Sequence, residues 1–265
     1  MSYTSFDHTY ALCAYKESAY LEECVKSLLA QTVKSNIIIA TSTPNTHIED
    51  IAKKYSIPLY INDGINGIGG DWNFAYSKAD TPLITIAHQD DIYEPQYTEA
   101  MLEFINQSKK PIIYFCGYGE LRDGEKIYNN TNLKVKKLML SPLKIKSFWA
   151  SRFVRRRILS FGCPICCPAV SFVKDKVGEN PFTNDYLSDI DWQQWEIQSR
   201  KKGSFVYNSR PLMCHRIHRE SATTEIIGDS KRSKEDFDMF CKFWPRPVAR
   251  LIAKLYSKSE KSNDI

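Results

Sequence analysis

Two adjacent carboxylates, Asp90 and Asp91, lie near the end of the stretch 82–95, Pro-Leu-Ile-Thr-Ile-Ala-His-Gln-Asp-Asp-Ile-Tyr-Glu-Pro. Leu83 to Ala87 is a short apolar run and reads as a strand buried on both faces, as in a parallel sheet. Pro95 then stops the extended run ahead of a helix. Ligands of open α/β sheets bind outside the carboxyl ends of the strands. Acidic side chains there can hold a divalent cation through hard oxygen ligands, and the cation can grip a diphosphate. Read alone, the same string fits a solvated Asp-Asp turn equally well.

Three further stretches carry residue types that do chemistry. Asp189 and Asp191 open the aromatic segment 187–196, Leu-Ser-Asp-Ile-Asp-Trp-Gln-Gln-Trp-Glu, which reads as a helix of about ten residues. A carboxylate near a helix N-terminus is favoured in its charged form by the dipole, ready to take a proton. The plainer reading makes Asp189 a cap and Asp191 a first-turn acid. The stretch 213–221, Met-Cys-His-Arg-Ile-His-Arg-Glu-Ser, offers His218 as a metal ligand and Arg216 or Arg219 as a phosphate clamp. A structural role for His218 fits as well. The loop 62–71 contains Gly64, Gly67, Gly69 and Gly70, which allow close backbone approach to a ligand. Its spacing matches neither a Walker loop nor a dinucleotide fingerprint. Cys163, Cys166 and Cys167 form a C-x-x-C-C cluster with no second ligand pair at zinc spacing, so reduced structural thiols are expected.

The elements that must position these residues follow from patterning. A first strand covers Tyr10 to Ala14, and Ser18 suits the N-cap of a helix striped by Leu21, Val25, Leu28 and Leu29. A second strand at Asn36 to Ala40, a helix at Thr46 to Tyr55 and a third strand at Pro58 to Ile61 complete a β-α-β-α-β half. A helix about Trp72 to Lys78 leads into the Asp-Asp strand. Beyond it are expected an amphipathic helix to about Gln107, a strand from Pro111 to Gly117 and a hairpin tipped by Asp123-Gly124. Another apolar strand ends near Val173, and a late strand covers Ser204 to Tyr207. Residues 134–157 hold nine basic residues, no acids, and Phe148, Trp149 and Phe153 among them. As a basic helix this stretch suits an anionic membrane surface, or simply solvent over the site. From Val248 a second amphipathic basic helix is spaced i, i+3, i+4, i+7.

The chain has 265 residues, 43% hydrophobic and 25% charged, with a net charge of +5. That describes an ordinary soluble α/β protein with a large core. No apolar run reaches the ~20 residues of a membrane span, and the first residues lack the pattern of a secretory signal. A cytoplasmic protein is expected, peripheral on the inner face of the cytoplasmic membrane through 134–157 and 243–258. No nucleic-acid reader motif is present.

The order of these motifs resembles the family 2 glycosyltransferases, over roughly residues 8–225. Ala14-Tyr15-Lys16-Glu17 stands where that family carries its Pro-x-Tyr-Asn segment beside the nucleobase. Asn66-Gly67 and Asn73 stand in its Asn-x-Gly…Arg-Asn segment, and His88-Gln89-Asp90-Asp91 in its Asp-x-Asp-Asp region. Asp191-Trp192 matches its Glu-Asp-Trp segment, with Ile190 in place of the Glu, and 213–221 is similar to its Tyr-Arg-x-His-x-x-Ser segment, with His215 in the Tyr position. Three further positions depart: Thr41-Ser42 replaces a base-reading Asp, Trp72 replaces an Arg, and His88 replaces the first Asp.

The resemblance implies a GT-A-like fold, a Rossmann-related, mostly parallel twisted sheet flanked by helices, with a helical extension at 226–265. It divides 1–225 into a nucleotide-sugar half, 1–117, and an acceptor half, 118–225. It implies an inverting transferase of bacterial surface-polysaccharide type. The donor is a nucleoside diphosphate sugar, UDP favoured, and the acceptor a saccharide or lipid-linked hydroxyl. The cation is Mn²⁺ or Mg²⁺ on Asp91, Asp90 and His218. Ala14, Tyr15, Glu17, Ser42, Asp71, Asn73 and Asp90 form the donor site, and Asp191 is the general base. Arg216, Arg219 and Trp192 contact phosphate or acceptor. The alternatives are a nucleotidyltransferase, disfavoured by the lack of a glycine-rich basic loop after the first strand, and a degenerate sugar-nucleotide-binding scaffold.

Overall fold

The computed structural model describes residues 2–65, 67–218 and 230–261. The strands are β1 (His8–Ala14), β2 (Asn36–Thr41), β3 (Leu59–Ile61), β4 (Leu83–His88), β5 (Ile92–Tyr93), β6 (Pro111–Arg122), β7 (Glu125–Ile127), β8 (Val170–Val173) and β9 (Ser204–Arg216). They form one sheet in the order β3-β2-β1-β4-β8-β6-β9-β5, with β7 paired to β6. The β3-β2-β1-β4 half is parallel, as the buried apolar runs require. The other half is mixed: β8 is antiparallel to both β4 and β6, and β9 is parallel to β6.

The helices of the first half are α1 (Leu21–Leu29), α2 (Thr46–Lys54), α3 (Ile68–Lys78) and α4 (Tyr97–Ile105). Asn45 caps α2, its side chain accepting from Ile48 N at 3.0 Å. Ser18 does not cap α1. That helix opens at Leu21, because Lys16 takes a left-handed φ of 55° and the chain turns once more before coiling. α3 begins four residues earlier than expected, at Ile68. Gly67 supplies the positive φ of 101° at its N-cap, and a Cβ on Gly70 would lie 2.3 Å from the Ile65 carbonyl oxygen. The glycines of this loop therefore serve helix entry and loop packing.

The second half is completed by α5 (Thr131–Leu140), α6 (Arg152–Leu159), α7 (Lys174–Val177), α8 (Ile190–Ser199), α9 (Ser230–Cys241) and α10 (Arg246–Lys261). The basic stretch 134–157 is not one helix: α5 gives way to two 3₁₀ turns at 141–150, and α6 follows. Pro142 opens the first of these turns. β6 and β9 run on for 12 and 13 residues, well past the expected strands. Register shifts between them absorb Pro211 and the polar residues around it. Asp123 and Gly124 both have positive φ, 49° and 83°, as a tight hairpin turn between β6 and β7 requires.

Buried tyrosines tie the two halves of the sheet together. Tyr10, Tyr93, Tyr97 and Tyr114 stack edge-on or tilted at 5.0–6.0 Å between centroids. Tyr93 and Tyr97 donate their hydroxyls to the carbonyls of Pro168 and Ala169. Each ring brings a large apolar area into the core while its hydroxyl stays bonded. The segment before β8 is thereby fixed against β5 and α4.

Candidate active site

β4 ends at the carboxyl edge of the sheet, and the tight turn after it brings three ligating groups together. One ligand atom from each of His88, Asp90 and Asp91 lies within 4.8 Å of the others. His88 was absent from the expected ligands, although it occupies the register of the first Asp. Its ring stacks on Trp72 at 5.0 Å, so the two departures from the family pattern occupy each other. Asp91 is wholly buried, and its Oδ1 accepts from Arg216 N and faces His215 Nδ1, each at 2.9 Å. Asp91 Oδ2 and His88 Nε2 are buried with no hydrogen-bond partner. A buried carboxylate oxygen and a buried ring nitrogen, both without hydrogen-bond partners and beside a second carboxylate, match the mixed oxygen and imidazole donor set of a divalent cation such as Mn²⁺.

The far end of β9 supplies the rest of this wall. His218 Nε2 meets Asp90 Oδ2 at 2.9 Å, so the imidazole expected on the cation is engaged with the Asp90 carboxylate. Burial works against the charge on Asp90, but His218 and the neighbouring imidazoles of His215 and His88 keep its pKa below the usual carboxylate value. Burial also opposes the charge on His215, yet Asp91 beside it lifts its pKa to about 9. Arg216 is engaged inside the protein: it donates to the Asp90 carbonyl at 2.8 Å, pairs with Glu23 at 2.5 Å and stacks over Tyr20 at 4.1 Å. The guanidinium expected to clamp phosphate thus braces the metal-site turn. Arg219 and Asn66 lie outside the described residues.

The donor-side residues gather around the ends of β1 and β2. The Gln89 amide bonds both the N–H and the carbonyl of Tyr15 at 2.9 Å, tying that loop to the metal-site turn. Ala14 is buried beneath it, while Tyr15 and Glu17 are exposed. Ser42 donates to Asp71 Oδ2 at 2.9 Å and Asn62 to Asp71 Oδ1 at 2.8 Å, so α3 returns a carboxylate to the strand end that lacks one. Asn73 is committed elsewhere: its amide pairs in both directions with the Phe182 backbone, at 2.6 and 2.9 Å.

Asp191 sits in the first turn of α8, a helix buried on nearly all sides. Trp195 of that helix stacks on Phe172 of β8, and Glu196 pairs with Arg156 and Arg200 at 2.6 Å. Asp191 is therefore rigidly held. Burial lifts its pKa to about 6, against the Trp192 N–H and the Lys136 ammonium, which favour the charged form. Asp189 is pushed up to about 9 by burial and by Asp236 and Asp191, so it is the neutral member of the pair at pH 7. Trp192, expected at the acceptor, is instead wholly buried and donates its indole N–H to the Leu159 carbonyl at 3.0 Å.

Two groups connect Asp191 to the metal-site wall. Burial pushes the Cys166 thiol well up, and the charges of both Asp91 and Asp191 push it further. Lys136, bonded to the Tyr118 hydroxyl at 2.7 Å, acts on both Asp191 and His215. Lys136 gave no signal in the sequence beyond membership of a basic run. Cys163 lies 3.7 Å from Asp191 Oδ2, and burial holds all three clustered thiols in their neutral form. Among the described residues these thiols form no metal-ligand group.

Comparison with known proteins agrees with the fold and the motif order. An uncharacterized glycosyltransferase of Rickettsia prowazekii (strain Madrid E) is 25% identical over 232 residues, 86% of this chain and 69% of that protein. One from Rickettsia conorii (strain ATCC VR-613 / Malish 7) is 28% identical over 65% of this chain, which spans only 29% of its length. Staphylococcus aureus TarS 1–349 in complex with UDP-GlcNAc superposes with a TM-score of 0.64 at 12% identity, over 94% of this chain and 70% of that one. The mannosyltransferase PcManGT of Pyrobaculum calidifontis, in complex with GDP-Man and Mn²⁺, gives 0.63 at 12% identity, over 95% and 69%. The fold is thus the GT-A-like α/β fold that the motif order implied. The family model described as glycosyl transferase family 2 matches residues 10–178, well over half of the sequence. The chain belongs to glycosyl transferase family 2.

Proposed function

We propose that this glycosyltransferase moves a sugar from a nucleoside diphosphate sugar, UDP favoured, to a hydroxyl of a saccharide or lipid-linked acceptor, with inversion. The observation that carries the reading is the pair of buried polar atoms without hydrogen-bond partners, Asp91 Oδ2 and His88 Nε2, at the carboxyl edge of β4 beside Asp90. His88, Asp90 and Asp91 would hold Mn²⁺ or Mg²⁺, with His218 steadying Asp90. A bound cation supplies charge neutralisation for the departing diphosphate.

The chain's own groups do the rest. Tyr15, on its Gln89-fixed loop, stacks near the base, and Asp71, held by Ser42 and Asn62, lines the nucleoside pocket with Glu17. Asp191 takes the proton from the acceptor hydroxyl. That oxygen bonds to the anomeric carbon as the opposite bond, to the diphosphate oxygen, breaks. One displacement inverts the centre and needs no enzyme nucleophile. Residues 1–117 serve the donor and 118–225 the acceptor, in bacterial surface-polysaccharide synthesis at the cytoplasmic face of the membrane.

A thermal-shift panel of nucleoside diphosphates and their sugars, with and without Mn²⁺, tests the donor. A shift that requires both UDP and the cation is expected, and no shift with any member contradicts the reading. The anomeric coupling constant of the isolated product tests the stereochemistry, and retention would rule out single displacement.

A further inference from the structure

Charge is segregated along this chain. Residues 126–174 hold eleven Lys and Arg and no Asp or Glu, and residues 239–259 hold five and none. The remaining 20 basic residues stand against all 31 acids. The modest net charge therefore conceals two strongly basic segments on an acidic body. Of the sixteen large apolar side chains exposed among the described residues, nine fall in these same two segments.

The fold brings the two segments together. Trp244 donates its indole N–H to the Ser160 carbonyl at 2.7 Å, stacks with Phe161 at 5.5 Å and lies under the Arg157 guanidinium at 4.7 Å. A Cβ on Gly162 would lie 2.8 Å from the Tyr256 ring, so α10 lies directly on the chain that leaves α6. α10 turns Ala249, Ile252 and Tyr256 inward. At about 100° per residue, Val248, Leu251 and Leu255 fall within about 60° of one another on a different face. Leu251 and Leu255 are 61% and 60% exposed, and Phe153 on α6 is 72% exposed. Lys254 projects about 60° beyond Leu251 and Arg250 about 100°, on the flank of the stripe. Both are exposed, Arg250 with its guanidinium 5.9 Å from the Phe237 ring, and neither has a carboxylate within ion-pair distance among the described residues. Part of the basic complement is spent internally: Arg155 bonds the Gly203 and Lys201 carbonyls and Arg156 pairs with Glu196.

We propose that the face formed by Phe153, Phe161, Leu251 and Leu255, with Arg250 and Lys254, docks the protein on an anionic lipid bilayer. An apolar stripe flanked by bases is the composition of a helix lying in a membrane interface. Each base near such a surface adds about fivefold to partitioning, and each buried leucine roughly tenfold. A nucleic-acid backbone would use the bases and leave the leucines without a partner. The face adjoins Asp191, because Gly162, against which Tyr256 packs, precedes Cys163, which lies 3.7 Å from Asp191 Oδ2. On the proposed transfer reaction, on which this orientation rests, docking turns Asp191 toward an acceptor carried by lipid.

Flotation at physiological salt tests it, using the full chain with phosphatidylcholine vesicles and with vesicles that also contain phosphatidylglycerol. The protein should float with the anionic vesicles and not with the neutral ones. Leu251→Ser with Leu255→Ser should lower partitioning about a hundredfold, and Arg250→Gln with Lys254→Gln about 25-fold. Circular dichroism melts should show that both variants fold. No flotation, flotation unchanged in both variants, or capture by RNA in place of vesicles would overturn the proposal. A docking failure with sugar-nucleotide titration intact removes this face and leaves the transfer reading standing.

Discussion

Asp191 illustrates how one residue's environment sets its task. Burial lifts its carboxyl to about 6, close enough to neutrality to accept a proton, while Lys136 and the Trp192 N–H keep it largely ionised at pH 7. Asp191→Asn should lower kcat by about 10²–10⁴-fold and leave donor affinity unchanged. Turnover within a few-fold of the parent would remove it from the reaction. In the proposed role Asp191 would work only when deprotonated, so kcat should fall as pH drops through about 6 and level off above it. A profile flat from pH 5 to 8 would contradict that assignment. Asp90, Asp91 and Asp191 were legible in the sequence because carboxylates at strand and helix ends follow the fold's geometry. His88 and Lys136 were not, since their meaning depends on partners distant in sequence: Trp72, on which His88 stacks, and Asp191 and His215, whose charge Lys136 influences.

At the scale of elements, the parallel half of the sheet could be read from apolar runs and loop chemistry alone. The second half could not. β9 continues through Asn208 and Pro211 because β6 pairs with it through register shifts, and no local pattern announces that. The stretch 134–157 looked like one exposed basic helix, yet Arg155 is wholly buried and bonds the Gly203 and Lys201 carbonyls at 2.7 Å. Arg155→Leu would leave both carbonyls without their charged donor. It should lower unfolding stability by about 3 kcal/mol, read as a drop in the urea midpoint. An unchanged midpoint would show that water replaces the arginine. In the donor half, Gly70→Ala would press a methyl onto the Ile65 carbonyl and shift the loop entering α3. Sugar-nucleotide affinity should fall at least several-fold, whereas an unaltered titration would place that loop away from the donor.

Viewed whole, the molecule sets a parallel half beside a mixed half, and the charges of Asp91, after β4, and Asp191, at the start of α8, both bear on Cys166. The acid-free segments at 126–174 and 239–259 meet where Trp244 bonds the Ser160 carbonyl. Donor, cation and acceptor would then meet along one cleft. The most direct test is calorimetric titration of a UDP-sugar into the protein with Mn²⁺, with chelator, and into Asp91→Ala with Mn²⁺. The account predicts saturable binding in the first case, weakened at least tenfold in the other two. Equal affinity in all three would show that the carboxylates after β4 do not hold a cation against the donor.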